Sequence, residues 1–345
     1  MKSIREENIK SKHLQYGAVR ECITLEGHPQ IEGYNFENEF DFQKFLNAYA
    51  HSGFQATHLA RGIEIVKAMR REKATIFLAF TSNQVSSGNR EIIKYLVKHK
   101  KVDVLVTSAG GIEEDIIKCL KPFVLGNFDA PGGILFDSGV NRTGNIFVPN
   151  DRFAYFDEFM QKFFARIYAI QKEENKIFCP KDLIKELGKE INNENNEGSI
   201  LYWAAKNNIP VFCPGIIDGS LGDLIFFFKQ SHPDFLLDVS KEMKDMIDLV
   251  LNCGKTGAII LGGGTSKHFT LNANIFKEGL DYAVYINTAQ EYDGSDSGAR
   301  VDEAVTWGKV KANAPNVKIH CDATIAFPLL VAGSFAQEDA QKDEK

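Results

Sequence analysis

Nowhere in its 345 residues does the chain hold an apolar run close to the roughly 20 residues that a membrane-spanning helix requires, so no membrane span is expected. The opening residues MKSIREENIKSKHLQYG lack an apolar signal core and lack the Arg/Ser-rich, acid-poor pattern of a transit peptide, which makes the cytoplasm the expected compartment. The six cysteines (Cys22, Cys119, Cys179, Cys213, Cys253, Cys321) include no CxxC pair, and no histidines stand at zinc-ligand spacing. Neither a disulfide framework nor a metal site is expected, and the cysteines read as small buried hydrophobes. No basic cluster is interleaved with aromatics and the net charge is −6, which argues against nucleic acid and favours a cationic ligand or a basic protein partner. No internal repeat is visible. The dinucleotide fingerprint GxGxxG is also missing, because the third-glycine position after Gly262 and Gly264 holds Lys267.

What the chain does have is an ordinary globular composition, 44% hydrophobic and 25% charged, and a regular succession of short apolar runs. Residues 1–30 show no clear period and read as an N-terminal arm, 31–338 as one large domain, and 339–345 as a disordered tail. Phe42, Phe45, Leu46 and Tyr49, then Ile63, Ile65, Val66 and Met69, recur at helical spacing on either side of Gly53, which predicts two helices. From Ala74 onward each apolar run ends in small residues and is followed by a helical pattern. ATIFLAF leads into TSNQVSSG and REIIKYLVKH, VDVLVT into SAGG and EEDIIKCL, and IPVFC into PGIIDGSLGDLIFF. TGAIIL leads into GGGTSKH and FTLNANIF, and DYAVYIN and NVKIHCDA complete the series. Runs that are apolar throughout fit strands buried on both faces of a parallel sheet. The expected fold is α/β, a Rossmann-like doubly wound and mainly parallel sheet with flanking helices in a single large domain. Residues 151–200 read as helical, with INNENNEG at 191–198 as an exposed turn.

In such sheets ligands lie beyond the carboxyl ends of the strands. The turns at 81–88, 108–111, 218–223 and 262–264 stand there, each an ordinary tight turn when taken singly and together a place where a dinucleotide can be held without the usual fingerprint. Acids accompany them. Glu113 and Glu114 follow SAGG, where carboxylates also serve as helix-dipole partners, and Asp218 and Asp223 flank GSLG, where an aspartate is also an ordinary cap. The stretch 285–309, YINTAQEYDGSDSGARVDEAVTWGK, adds Glu291, Asp293, Asp296, Asp302 and Glu303, then Trp307 and Lys309. Locally this stretch is open between a solvated loop and a pocket wall. The collected acids with an aromatic wall suit an extended polyamine. Burial against Trp307 would lower the pKa of Lys309 from its ordinary value of about 10.4, while Glu303 and Asp296 would raise it. A bound polyamine would pair with those carboxylates and leave the amine free to attack an electrophilic carbon as an imine-forming nucleophile. The plainer reading makes Lys309 a helix C-terminal cation beside Gly308. His268 divides in the same way between a structural histidine and a general base.

The motifs TSNQVSSG, TSAGGIEED, IIDGSLGD, GGGTSKH with LNAN, YINTAQEYDGSDSGAR, DEAVTWGK and FPLL, in that order and spacing, resemble deoxyhypusine synthase from about residue 33 to 337. That family includes homospermidine synthase. The resemblance implies an NAD-dependent transferase: spermidine is oxidised, its 4-aminobutyl part passes to an enzyme lysine as an imine with loss of 1,3-diaminopropane, and the group moves to a lysine of the hypusine-bearing translation factor precursor. Lys309 matches the imine-forming lysine, with His268 as a second catalytic group. Ser82, Asn83, Gln84, Val85, Ser86, Ser108, Ala109, Gly110, Glu114, Asp218, Gly263, Thr288, Ala289, Asp322 and Ala323 match residues that contact NAD. Glu113, Glu114, Asp223, His268, Gly294, Ser295, Asp296, Glu303, Ala304, Val305, Thr306, Trp307, Gly308 and Lys309 match the spermidine channel. The resemblance also implies a homotetramer with sites at subunit interfaces. Ser108 stands where many relatives have threonine, and the polar insert at 192–196 and the short N-terminal arm differ from the family. Homospermidine synthase, which delivers the same group to putrescine, is the alternative, and a non-catalytic nucleotide- or polyamine-binding protein is a third reading that has no need of Lys309.

Overall fold

The computed structural model describes residues 25–191 and 196–336, so the arm up to residue 24, the polar insert at 192–195 and the tail from 337 lie outside the described residues. Helix α1 (Phe42–Ala48) starts where the Asp41 carboxylate accepts from the Lys44 N–H at 2.8 Å, and α2 (Phe54–Arg71) starts after Gly53, whose φ of 85° ends the first run. Then the strand and helix alternation begins with β1 (Thr75–Phe80), the short α3 (Asn83–Ser86), α4 (Asn89–Lys98), β2 (Val104–Thr107) and α5 (Ala109–Leu120). An insertion follows: β3 (Val124–Leu125), α6 (Gly132–Asp137), β4 (Val140–Thr143), β5 (Ile146–Pro149), α7 (Asp151–Glu174), α8 (Pro180–Glu190) and α9 (Ile200–Asn207). The alternation resumes with β6 (Val211–Phe212), α10 (Ser220–Ser231), α11 (Val239–Asn252), β7 (Thr256–Leu261), α12 (Gly264–Ile275) and β8 (Tyr282–Asn287). It closes with α13 (Val301–Thr306), β9 (Asn316–His320) and α14 (Ala323–Val331).

The main sheet has six strands in the order β6-β2-β1-β7-β8-β9, and every pairing in it is parallel. Alternate residues of one strand enter two different cores. Ile76, Leu78 and Phe80 of β1 pack on one face with α2 and the inserted helices, while Phe77 and Ala79 pack on the other with residues of α11 and α12. This is why β1, β2, β6, β7 and β8 read as apolar without alternation, while the edge strand β9 alternates. The chain winds from β1 outward through β2 to β6, then returns to the far side of β1 and winds outward through β7, β8 and β9. That is the strand order of two mononucleotide-binding halves, with the topological switch between β1 and β7.

A buried polar junction ties the insertion to the sheet helices. Asp115 of α5, fully buried, accepts from Arg90 Nε at 2.7 Å, from Ser199 Oγ at 2.7 Å, and from the Ile200 and Leu201 N–H groups at 3.1 and 3.0 Å. It is at once the ion partner of α4 and the cap of α9. The three-stranded antiparallel sheet β3-β5-β4 is absent from the sequence-based expectation. Cys119, Cys179 and Cys213 are buried thiols, and Cys253 and Cys321 are partly exposed. One trio of ligand-type side chains among the described residues, Cys179, Asp182 and Asp245, gathers around ammonium groups, with Lys181 and Lys241 at 2.8 and 2.6 Å from Asp245. No helix among the described residues is long and apolar enough to cross a membrane.

Candidate active site

The turns at the carboxyl edge of the sheet lie against one another. At the β2 end, α5 begins at Ala109, so Gly110 falls inside the first helical turn instead of in a loop. A Cβ on Gly110 would stand 2.7 Å from Cβ of Ser82, so the β1 and β2 turns approach as closely as the backbone allows. Across the switch, Thr81 packs on Gly262, and the next glycine, Gly263, packs on Ser297 of the loop after β8. A continuous line of contacts therefore runs from Gly110 through Ser82 and Thr81 to Gly262, Gly263 and Ser297.

On the β1 side of this line, Gln84, Val85 and Ser86 of α3 are buried, and Lys118 donates to the carbonyls of Val85, Ser86 and Ser87 at 3.0, 3.2 and 3.3 Å. These bonds satisfy the end of a helix too short to hold itself. The Ser86 hydroxyl donates to Glu114. Burial pushes the Glu114 carboxyl up to about 7, with Glu113 adding to the rise and Ser86 and Lys118 opposing it. Glu113 is buried beneath the start of α10, where its Oε2 accepts from the Leu221 N–H at 2.8 Å, and burial raises its pKa as well. Glu113 and Glu114 are not in the first turn of their own helix, so the helix-dipole role is replaced by capping of α10 and by the Ser86 contact. Asp218 and Asp223 are exposed on either side of the α10 start, and Asp223 borders a hollow with Phe153, Phe156 and Leu224.

The other side of the line carries the residues around Lys309. His268 Nδ1 stands 3.6 Å from Asp296 Oδ1, and Asn272 Nδ2 stands 2.8 Å from His268 Nε2. With the Asn272 amide donating to Nε2, the neutral ring carries its proton on Nδ1, facing the carboxylate. Oδ2 of Asp296 is buried without a partner among the described residues. Gly294 (φ 71°) turns the loop toward Ser295. Glu303, Ala304, Val305 and Thr306 lie in or at the end of α13, and Gly308 (φ 69°) terminates it. Lys309 Nζ stands 5.7 Å from the Trp307 ring centroid. Trp307 is 66% exposed, so within one chain it does not bury the lysine in the way its neighbourhood in the sequence suggested. Thr288 and Ala289 follow β8, and the Asp322 carboxylate caps α14 by accepting from the Thr324 N–H at 2.7 Å, with Ala323 as the first helical residue. No hydrogen bond or ion pair among the described residues joins Glu113, Asp218 or Asp223 to the group around Lys309.

Two participants escaped the sequence-based reading. Lys267 is 1% exposed; its ammonium donates to the Asp296 main-chain oxygen and lies 4.9 Å from the Tyr285 ring centroid, and burial lowers its pKa against the opposing pull of Asp296. A cation in the first turn of a helix opposes the helix dipole, and that misfit was the available signal. Lys318 of β9 donates to the main-chain oxygens of Ala289, at 2.8 Å, and Gly298.

The family model described as deoxyhypusine synthase matches residues 44–334. The chain belongs to the deoxyhypusine synthase family. It is 47% identical to the deoxyhypusine synthase of Senecio vernalis over 98% of this chain and 99% of that protein. It is also 48% identical to homospermidine synthase 2 of the same plant, over 94% of each chain. Among solved structures, a protein from Entamoeba histolytica proposed to be a deoxyhypusine synthase superposes with a TM-score of 0.63 at 29% identity, covering 89% of this chain and 97% of that one. The chain is an α/β domain with a parallel six-stranded sheet flanked by helices, and this domain superposes on that structure.

Proposed function

We propose that the chain transfers the 4-aminobutyl group of spermidine, in an NAD-dependent reaction through an imine on Lys309, to a lysine of the hypusine-bearing translation factor precursor in the cytoplasm. The observation that carries this reading is the line of contacts from Gly110 to Ser297, which joins the switch-point turns to the loop that holds Asp296 beside His268. Several features fit a dinucleotide. The turns of β1 and β7 flank the switch point, α12 has no acid in its first turn, Gly264 at its start has open space around it, and Asn287 Oδ1 at the end of β8 is buried without a partner among the described residues. Ser82, Asn83, Gln84, Val85, Ser86, Ser108, Ala109, Gly110, Gly263, Thr288 and Ala289 would hold it, with Glu114, Asp218, Asp322 and Ala323 at its borders. When bound, NAD supplies the acceptor for the hydride leaving spermidine and the donor for the one returned at the end.

The remaining steps belong to the chain's own groups. Asp296 and Glu303, with Glu114 and Asp223, pair with ammonium groups, and the Trp307 ring covers methylenes. The Lys309 amine forms a bond to the oxidised carbon, the C–N bond to 1,3-diaminopropane breaks, and the leaving amine takes the proton. His268, oriented by Asn272 and Asp296, holds a proton beside that carbon. The acceptor amine then adds to the same carbon and frees Lys309.

Completion of the site by a second copy in a homotetramer is part of the proposal. Exposed Trp307 beside Lys309, and exposed Ile217, Phe226 and Phe227 beside Asp218 and Asp223, support it. The near-equal identity to a homospermidine synthase keeps putrescine as the second acceptor to be tested. Incubation with labelled spermidine and NAD, and with either the acceptor protein or putrescine, decides between them. Label on the protein is the expected result, label on putrescine selects homospermidine synthesis, and no release of 1,3-diaminopropane contradicts both.

A further inference from the structure

We propose that Lys318 is a positioning residue that clamps the neck of the acidic loop at 289–298 and thereby fixes Asp296 for the amine; the inference rests on the functional reading above. This loop joins β8 to α13 with little structure of its own: one turn of 3-10 helix at Glu291–Asp293, a left-handed Gly294, and short-range bonds from Gly298 N and Ala299 N to the Ser295 carbonyl. Chains of this kind sample many conformations unless their ends are tied. Both ends are tied at one point. The Lys318 ammonium donates to the Ala289 and Gly298 carbonyls across the neck, and a Cβ on Gly298 would stand 1.7 Å from the Gln290 carbonyl oxygen, so the two strands of the neck touch. Outside the neck, the Arg300 guanidinium makes a forked pair with Glu291, and deeper in, Lys267 holds the Asp296 main-chain oxygen. Lys318 projects from the edge strand β9, whose register beside the loop is set by its pairing with β8. Its three ammonium donors serve two carbonyls that no backbone N–H among the described residues fills, so it transfers the rigidity of the sheet to the loop.

Lys318 is the better test than Lys267, because Lys267 interacts electrostatically with Lys309 and a change there mixes two effects. In the full-length protein, Lys318→Met keeps the stem and removes the donors. Hydrogen exchange of the 290–298 amides is expected to rise selectively, and the KM for spermidine to rise roughly tenfold or more. Lys318→Arg, with donors for both carbonyls, is expected to restore both readouts, and Gly298→Ala to reproduce the loosening by opening the neck. Wild-type exchange and KM in both Lys318→Met and Gly298→Ala overturn the proposal, as does a rise in exchange spread evenly over the whole protein. Wild-type protein that leaves spermidine unconsumed sinks the functional reading, and the exchange measurement still decides the clamp.

Discussion

Lys309 follows a left-handed glycine at a helix end, beside an exposed indole, and nothing within one chain marks it as more than a terminal cation. Its assignment came from the resemblance, because the stretch 285–309 by itself is also compatible with a solvated loop. Glu114 is different, since the structure gives it a property that the sequence did not. Its carboxyl, pushed up to about 7 mainly by burial, is largely protonated at pH 6 and largely ionised at pH 8. Only the ionised form attracts an ammonium group. The KM for spermidine is therefore expected to rise roughly tenfold between pH 8 and pH 6, and Glu114→Gln is expected to flatten that dependence at a uniformly weaker affinity. An unaltered pH profile in the glutamine variant would show that another group is responsible. Lys318 was illegible because it acts on main-chain carbonyls, which leave no trace in the sequence pattern, and Lys267 left only the misfit of a cation in the first turn of α12.

At the level of elements, β1, β2, β6, β7 and β8 were legible because burial on both faces demands unbroken apolar runs, whereas the edge strand β9 alternates polar and apolar residues. The β3-β5-β4 sheet was not, since β3 is two exposed residues, Val124 and Leu125, and β4 carries polar, exposed side chains. The start of α5 was placed too late because SAGG reads as a loop, although Gly110 and Gly111 are helical. The junction at Asp115 joins α4, α5 and α9, and no local pattern announced it. Asp115→Ala leaves Arg90 buried without its carboxylate and strips the cap of α9, so denaturant unfolding is expected to lose about 3–5 kcal/mol. A loss below about 1 kcal/mol would mean that the guanidinium finds other partners.

For the whole molecule, strand order was beyond the sequence, because a parallel strand carries no mark of which neighbour it pairs with. The order β6-β2-β1-β7-β8-β9 supplies the switch point, and with it the reason that turns lacking the glycine fingerprint meet in one place. The exposed face of α10 bears on assembly. Phe226 and Phe227, each 59% exposed, suit a contact between copies. Phe227→Asp is expected to yield a species smaller than the wild-type assembly by light scattering, with turnover falling in parallel. Full activity in a smaller species would remove the need for a shared site.

The central claim is that Lys309 carries the aminobutyl group, and covalent trapping tests it most directly. Incubation with spermidine and NAD, reduction with borohydride and peptide mass mapping are predicted to place a 4-aminobutyl group on Lys309, and Lys309→Arg is predicted to show neither the adduct nor turnover above about a thousandth of wild type. An adduct on another lysine, such as Lys267, or an equally abundant adduct in the arginine variant, would contradict the account.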